Sequence, residues 1–201
     1  MATQIVTSAP AIVPYRLTVK QVEKMLDVGV FRDGARFELL GGLLVDKMTT
    51  HEPHNFAVFQ FAEGLRRILP AGWCVREEKS LRLGRRWLPE PDIAVLRRPM
   101  VEYRGQWPGP DDIALIGEVA DTSYARDRGP KWQRYAAVRI PAYWIVNLPK
   151  RQVEVFTEPA GRGKAAEYQS LTTFGADADA EISVVLDGRP LGQIAVQGLL
   201  S

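Results

Sequence analysis

The chain has 201 residues, 46% of them hydrophobic and 25% charged. This is the composition of an ordinary folded protein long enough to bury a core. Lys and Arg number 26 against 24 Asp and Glu, a formal net charge of +2, so overall charge gives no support to a nucleic-acid coat, although Arg66-Arg67, Arg82 to Arg86 and Arg97-Arg98 are local basic clusters.

Residues 1–15 read as a flexible leader ending near Pro14. They lack the basic start and continuous apolar stretch of a signal peptide, and no apolar run in the chain approaches the ~20 residues that span a bilayer. The single cysteine, Cys74, excludes an intrachain disulfide and a zinc site built on cysteines, which suits a reducing, cytoplasmic setting. The spacing of Val22, Met25 and Leu26 predicts a helix over 17–30, with Thr18 as N-cap and Gly29 closing it. The stretch 36–48 reads as two strands joined at Gly41-Gly42. A long helix is expected over 53–70, with Phe56, Val58, Phe59, Ala62, Leu65 and Leu69 on its apolar face and Pro70 at its end. Strands follow over 73–84 and 91–99, a Gly- and Pro-rich loop over 100–112, and a strand over 113–120. A helix is predicted from about Asp127 to Val138, then strands over 142–148, 152–158, 166–174 and 181–188, the last of them at an edge. The tail from Arg189 has no clear signal. Residues 16–201 are expected to form one α/β domain, a sheet flanked by helices.

Two acidic residues on apolar strands draw attention to chemistry. Asp92 follows Pro91 and precedes "IAVL"; Glu118 follows "IALIG". Strand ends hold side chains rigidly while letting them converge, and two converging oxygen donors suit Mg²⁺ or Mn²⁺. Such a cation stabilises charge on a phosphoryl oxygen and activates water. Lys131 is the candidate to assist it, provided that its helix folds back over the end of the 113–120 strand. The residues alone also allow blander roles: an Asp after Pro suits a turn, Glu118 an exposed strand end, and Lys131 a solvated surface. No Walker-type glycine loop, GxSxG, GxGxxG or HExxH motif is present. In "HEPH", Pro53 separates His51 from His54 and places them at a helix start, not as a pair on one helical face.

The succession "FELLGGLLV", His54 opening a long helix, "PDIAV" and "GEVADTSYARDRGPKWQRYAAVRIPAYWIVN" resembles the Uma-two family of restriction-endonuclease-like proteins, a branch of the PD-(D/E)XK nuclease superfamily. The resemblance covers roughly residues 17–160. It implies a restriction endonuclease-like fold, a central mixed β-sheet flanked by α-helices, with the site at one end of the sheet. It implies a metal-dependent endonuclease hydrolysing phosphodiester bonds in DNA with Mg²⁺ or Mn²⁺. Asp92 and Glu118 would be the metal ligands, with the Val119 carbonyl assisting. The superfamily lysine normally sits two residues beyond the second acid; here that residue is Ala120, and the role passes to Lys131. Glu38 and His54 match a further family acid and histidine and would support the same site. Tyr135 would pack behind it, and Asp127 would cap the helix. Where many members carry a Ser-x-Ser/Thr run, this chain has Asp121-Thr122-Ser123, read as a turn. Arg82, Arg85 and Arg86 are candidates for backbone-phosphate contact, and a homodimer would suit the cutting of two strands. The alternative class is a catalytically inactive nuclease-fold module that binds nucleic acid or a partner protein.

Overall fold

The segment 113–120 forms β5 (Ile113–Ala120), and every residue of it is buried. An apolar run with no polar alternation has to be covered on both faces, and β5 lies third in a six-stranded sheet of order β3-β4-β5-β6-β7-β8. The strands are β3 (Cys74–Glu77), β4 (Ile93–Leu96), β5, β6 (Ala142–Asn147), β7 (Gln152–Ala160) and β8 (Glu167–Gly175). All neighbouring pairs are antiparallel except β5 and β6, which run parallel. A parallel pair needs a crossover, and here the crossover is the helical stretch that carries Lys131. The computed structural model describes residues 13–32, 35–47, 51–177 and 179–200; the expected leader up to residue 12 lies outside them.

Before the sheet come α1 (Val19–Asp27), the hairpin β1 (Phe37–Leu40) and β2 (Leu43–Asp46), and α2 (Glu52–Ile68). Thr18 caps α1 as expected, in a capping box with Gln21. The hairpin turns at Gly41 and Gly42, both with positive φ. On one face of the sheet Ala57, Phe61 and Leu65 of α2 pack with Ile93, Leu115, Val119 and Trp144. On the other, Tyr135 and Ala136 pack with Ile116, Ala120, Tyr143 and Ile145. The mixed sheet with helices on both sides therefore agrees with the sequence reading.

Several local expectations are corrected. The apolar face of α2 is rotated from the one expected: Phe56 and Phe59 are exposed, while Ala57, Phe61 and His54 are buried. Only Cys74–Glu77 of the 73–84 stretch is strand; Leu81 and Leu83 instead cover the Tyr135 side of the sheet. The expected edge strand is β9 (Glu181–Leu186). It pairs not with the main sheet but with β10 (Arg189–Ala195) from the unread tail, and α5 (Val196–Leu199) follows. Ile182, Val184 and Ile194 of this hairpin join the α2 side of the core.

The crossover helix starts earlier than Asp127. It begins as α3 (Tyr124–Arg126), widens to a π turn over Asp127–Lys131 and continues as α4 (Trp132–Ala137). Pro130 explains the widening. It offers no N–H and its ring crowds the preceding turn, and the Trp132 amide reaches back five residues to the Asp127 carbonyl. Lys131 is thus inside a helical run, not at its positive end, and Asp127 is not a cap.

Gly117 is where α2 approaches β5 most closely. A Cβ there would lie 2.4 Å from Phe61 Cε1 and 2.9 Å from Cζ. Gly117→Ala is expected to lower stability by about 1–3 kcal/mol through overpacking. A urea titration checks this, with Phe61→Leu on the same background recovering part of the loss.

Candidate active site

Six separate parts of the chain send titratable side chains to the ends of β4 and β5. Asp92 stands just before β4. Ile93 pairs with Gly117 at the limit of the β4–β5 ladder, and Pro91 has no N–H with which to extend it. The Asp92 Oδ2 takes up the next free donor, accepting the Val119 N–H at 2.8 Å. On β5 the Ala120 carbonyl accepts from Leu148 on the β6 side. By strand alternation the Val119 backbone therefore faces the other way, toward Asp92.

Glu118 points to the opposite face of the sheet from Val119, under the crossover helix. Its Oε1 accepts from Lys131 Nζ at 2.9 Å and from Tyr135 OH at 2.8 Å. Lys131 and Tyr135 are four apart and share a helix face. Lys131 also lies 2.9 Å from Glu38 Oε1 and 3.6 Å from Asp127 Oδ1. Glu38 is held from β1, its Oε1 also accepting the Glu90 N–H at 2.8 Å. His54, in the first turn of α2, brings Nε2 to 3.3 Å from Asp92 Oδ2. His51 is the exposed N-cap residue of that helix, so the two histidines do not act as a pair.

All of Asp92, Glu118, Lys131, Glu38 and His54 are buried, and they line one cleft of about 80 Å³ together with Val119, Asp121 and Asp127. That volume takes several waters or a hydrated cation. Asp127, read from the sequence as a cap, is buried in the cleft wall and accepts from the Ser123 hydroxyl. One further residue had no sequence signal. Lys47, just past β2, lies 3.3 Å from Asp92 Oδ1, 3.4 Å from Glu78 and 3.5 Å from Glu90. Its position after the strand "LLVD" marks it only as a lysine at a strand end.

The charges are unevenly matched. Five carboxylates line the cleft against Lys47, Arg126, Lys131 and the two histidines. Burial raises the Asp92 carboxyl, but the His54 hydrogen bond and the Lys47, His54 and Lys131 charges outweigh it and hold it down at about 2. Burial pushes the Glu118 carboxyl up to about 8; Lys131 opposes this, while Asp127, Asp92 and Glu38 add to it. Burial works against the Lys131 ammonium, yet the Glu118, Glu38 and Asp127 charges raise it above its usual value. The same balance keeps Lys47 above its usual range, chiefly through Asp92 and Glu118. Around Lys131 three carboxylates surround one cation, and without further positive charge the cluster retains a proton.

The donor set fits a hard divalent cation. Glu38 Oε2 and Asp127 Oδ1 are buried without hydrogen-bond partners, negative charge is in excess, and the donors are oxygens. Asp92, Glu118 and the Val119 carbonyl are the groups that would hold it. Among the described residues no three His, Cys, Asp or Glu side chains converge as a metal cage. A two-carboxylate site instead suits a cation that keeps several of its waters.

Arg82 is not at this cleft. It lies 3.8 Å from Glu23 in a separate recess, and Arg85 and Arg86 line another. Among the described residues no helix is long and apolar enough to cross a membrane.

The family model described as "Uma2: Putative restriction endonuclease" matches residues 19–189. The fold is similar to a crystal structure described as a "putative nuclease belonging to DUF820" from Anabaena variabilis ATCC 29413, with a TM-score of 0.57 over 87% of this chain and 94% of that one. At 13% identity this likeness concerns the fold alone. No curated protein matches the chain.

Proposed function

The chain belongs to the Uma2 family of restriction-endonuclease-like proteins, and from that premise we propose that it is a divalent-cation-dependent nuclease hydrolysing phosphodiester bonds in DNA, with the Asp92–Glu118 cleft as its active site. The observation that carries this reading is the buried pair of Glu118 and Lys131 at 2.9 Å beside Asp92. A carboxylate pair with an adjacent lysine is what phosphoryl chemistry needs. When bound, Mg²⁺ or Mn²⁺ would neutralise charge on the scissile phosphate and lower the pKa of a water.

The chain's own residues take the remaining roles. Lys131 supplies a fixed positive charge to the phosphate oxygens as they gain charge, in a site where little water screens it. Glu38 and Asp127 keep that ammonium charged and aimed. Tyr135 fixes the Glu118 carboxylate, and His54, Lys47 and the Val119 amide fix that of Asp92. Water adds to phosphorus as the bond to the leaving deoxyribose oxygen breaks; the water gives up a proton to solvent and the leaving oxygen takes one from it.

The reading is tested by Mn²⁺ titration calorimetry and by plasmid cleavage in Mg²⁺ or Mn²⁺ against EDTA. Glu118 holds its proton up to about 8, so a cation that takes its place must release that proton. Its folded-state value is raised from 4.5; in the cation-free protein its contribution to stability is therefore fully present below pH 4.5 and is lost as pH rises through 8. Mn²⁺ is expected to raise the melting temperature more at pH 8.5 than at pH 6, and proton release should appear as a dependence of the heat on buffer ionisation enthalpy at pH 7. Absence of both Mn²⁺ heat and cleavage would favour the other reading, a non-catalytic module. One feature supports that alternative: Lys131 already satisfies two carboxylates at 2.9 Å each.

A further inference from the structure

A second recess, of about 510 Å³, opens beside the start of α1 and is lined by Tyr15, Arg16, Thr18, Gln21, Arg85 and Arg86, with no acidic residue among the described residues of its wall. Tyr15 and the three arginines are exposed. Among the described residues the Arg16 guanidinium donates only to the Gly41 carbonyl, at 3.0 Å. Among the described residues the side chains of Arg85 and Arg86 have neither a hydrogen bond nor an ion pair. Among the described residues, seven of the other sixteen arginines lie within 4.0 Å of a carboxylate, Arg36, Arg66, Arg97 and Arg98 among them.

The arginines are displayed from a fixed frame. Leu17 donates to the Gly42 carbonyl at 2.8 Å, Gly42 to that of Arg86 at 2.9 Å, and Val19 to that of Arg85 at 2.8 Å. At Gly42, φ is +88° and a Cβ would lie 2.9 Å from Arg16 Cβ, so the 16–17 segment is packed tightly on the hairpin turn. Three chain segments are thus tied by their backbones, while three guanidinium groups are left to solvent. Guanidinium forks match phosphate oxygens in geometry and charge.

We propose that this recess is a binding site for the phosphodiester backbone of a nucleic acid, placed to guide a strand into the Asp92–Glu118 cleft. Its guiding role rests on the nuclease reading; its binding does not. The two sites share one ladder: Arg86 meets Gly42, Leu88 bridges Leu39, and Glu90 donates to Glu38 in the cleft. Four residue steps lead from Arg86 to Glu90, about 13 Å along an extended chain. That corresponds to the rise of about four base pairs along a duplex axis. Arg82 has no part in it, because its neighbours in the other recess include Glu23 and Asp27.

The test is fluorescence anisotropy with labelled duplex and single-stranded oligonucleotides of one sequence, in EDTA, across a series of NaCl concentrations. The full chain carrying Arg16→Ala, Arg85→Ala and Arg86→Ala is expected to bind about 100-fold more weakly, with the slope of log K against log salt reduced by about 2–3. The corresponding triple Lys variant should keep the wild-type slope, and Arg162→Ala with Lys164→Ala in the β7–β8 turn should leave affinity unchanged. If loss of Arg16 disturbs folding, Arg85→Ala with Arg86→Ala alone should reduce the slope by about 1.5–2. The probe that loses more affinity identifies the form of nucleic acid that the recess takes. Unchanged slope and affinity in the triple Ala variant, or no binding by the wild type, overturns the proposal. Binding that depends on the arginines in a protein that cleaves nothing overturns the nuclease reading and leaves the recess standing.

Discussion

Replacing Lys131 by Met is expected to lower DNA cleavage by about 100- to 1,000-fold, the loss found when one preorganised charge donor is removed from a reacting centre. It is also expected to lower stability by about 3–5 kcal/mol, because taking away one partner leaves buried charge uncompensated. In a chain of this size that is about a 10 °C fall in melting temperature. The fall has a pH signature. Without Lys131, burial acts with less opposition on Glu118 and Asp127, which stand within 3.6 Å of its ammonium. Their folded-state carboxyls rise further above the unfolded values, so their contribution to the variant's stability is present below the ordinary carboxylate range and is lost as pH rises. Calorimetric scans should show a gap from wild type that is narrow near pH 5 and wide near pH 8.5. Equal gaps at both pH values, together with unimpaired cleavage, would remove Lys131 from the centre.

Asp92→Asn keeps the shape of the side chain and removes its charge. It is expected to abolish the Mn²⁺ heat in titration calorimetry and to lower cleavage by about 1,000-fold or more, since several kcal/mol of charge stabilisation depend on that ligand. Lys47 and His54 lose the carboxylate they face at 3.3 Å. His54 then loses what holds its imidazolium above the usual value against burial. The wild-type Asp92 carboxyl is depressed from 3.8 to about 2. Its stabilisation, about 2 kcal/mol, is present above pH 3.8 and is lost as pH falls through 2. Wild type and Asp92→Asn should therefore differ in denaturation midpoint at pH 6 and converge near pH 2. Mn²⁺ binding retained in Asp92→Asn would dismiss it as a ligand.

The elements most legible in the sequence are those specified by neighbours. Thr18 and Gln21 reach each other across one helical turn, so the capping box is written in adjacent letters. Gly41-Gly42 turns a hairpin because its backbone needs positive φ. The unbroken apolar run of β5 marks a strand covered on both faces. The crossover helix was less legible. The sequence predicts a start near Asp127, but Tyr124 already begins the helix and a π turn absorbs Pro130. Asp127 accordingly sits inside the helical run, buried against Lys131, and does not cap it.

By itself the sequence determined the strand that follows Asp92, the strand that bears Glu118, the helix that bears Lys131 and the family to which they belong. Those depend on periodicity, turn chemistry and a recognisable order of segments. Only the tertiary structure decided that Glu38 would share Lys131 with Glu118, that Lys47 would stand against Asp92, and that Arg16 would join Arg85 and Arg86 away from Arg82. Coulomb energy depends on separation in space and on how much water lies between charges. Neither can be read from spacing along the chain until the hairpin, the two central strands and the crossover have been folded onto one another.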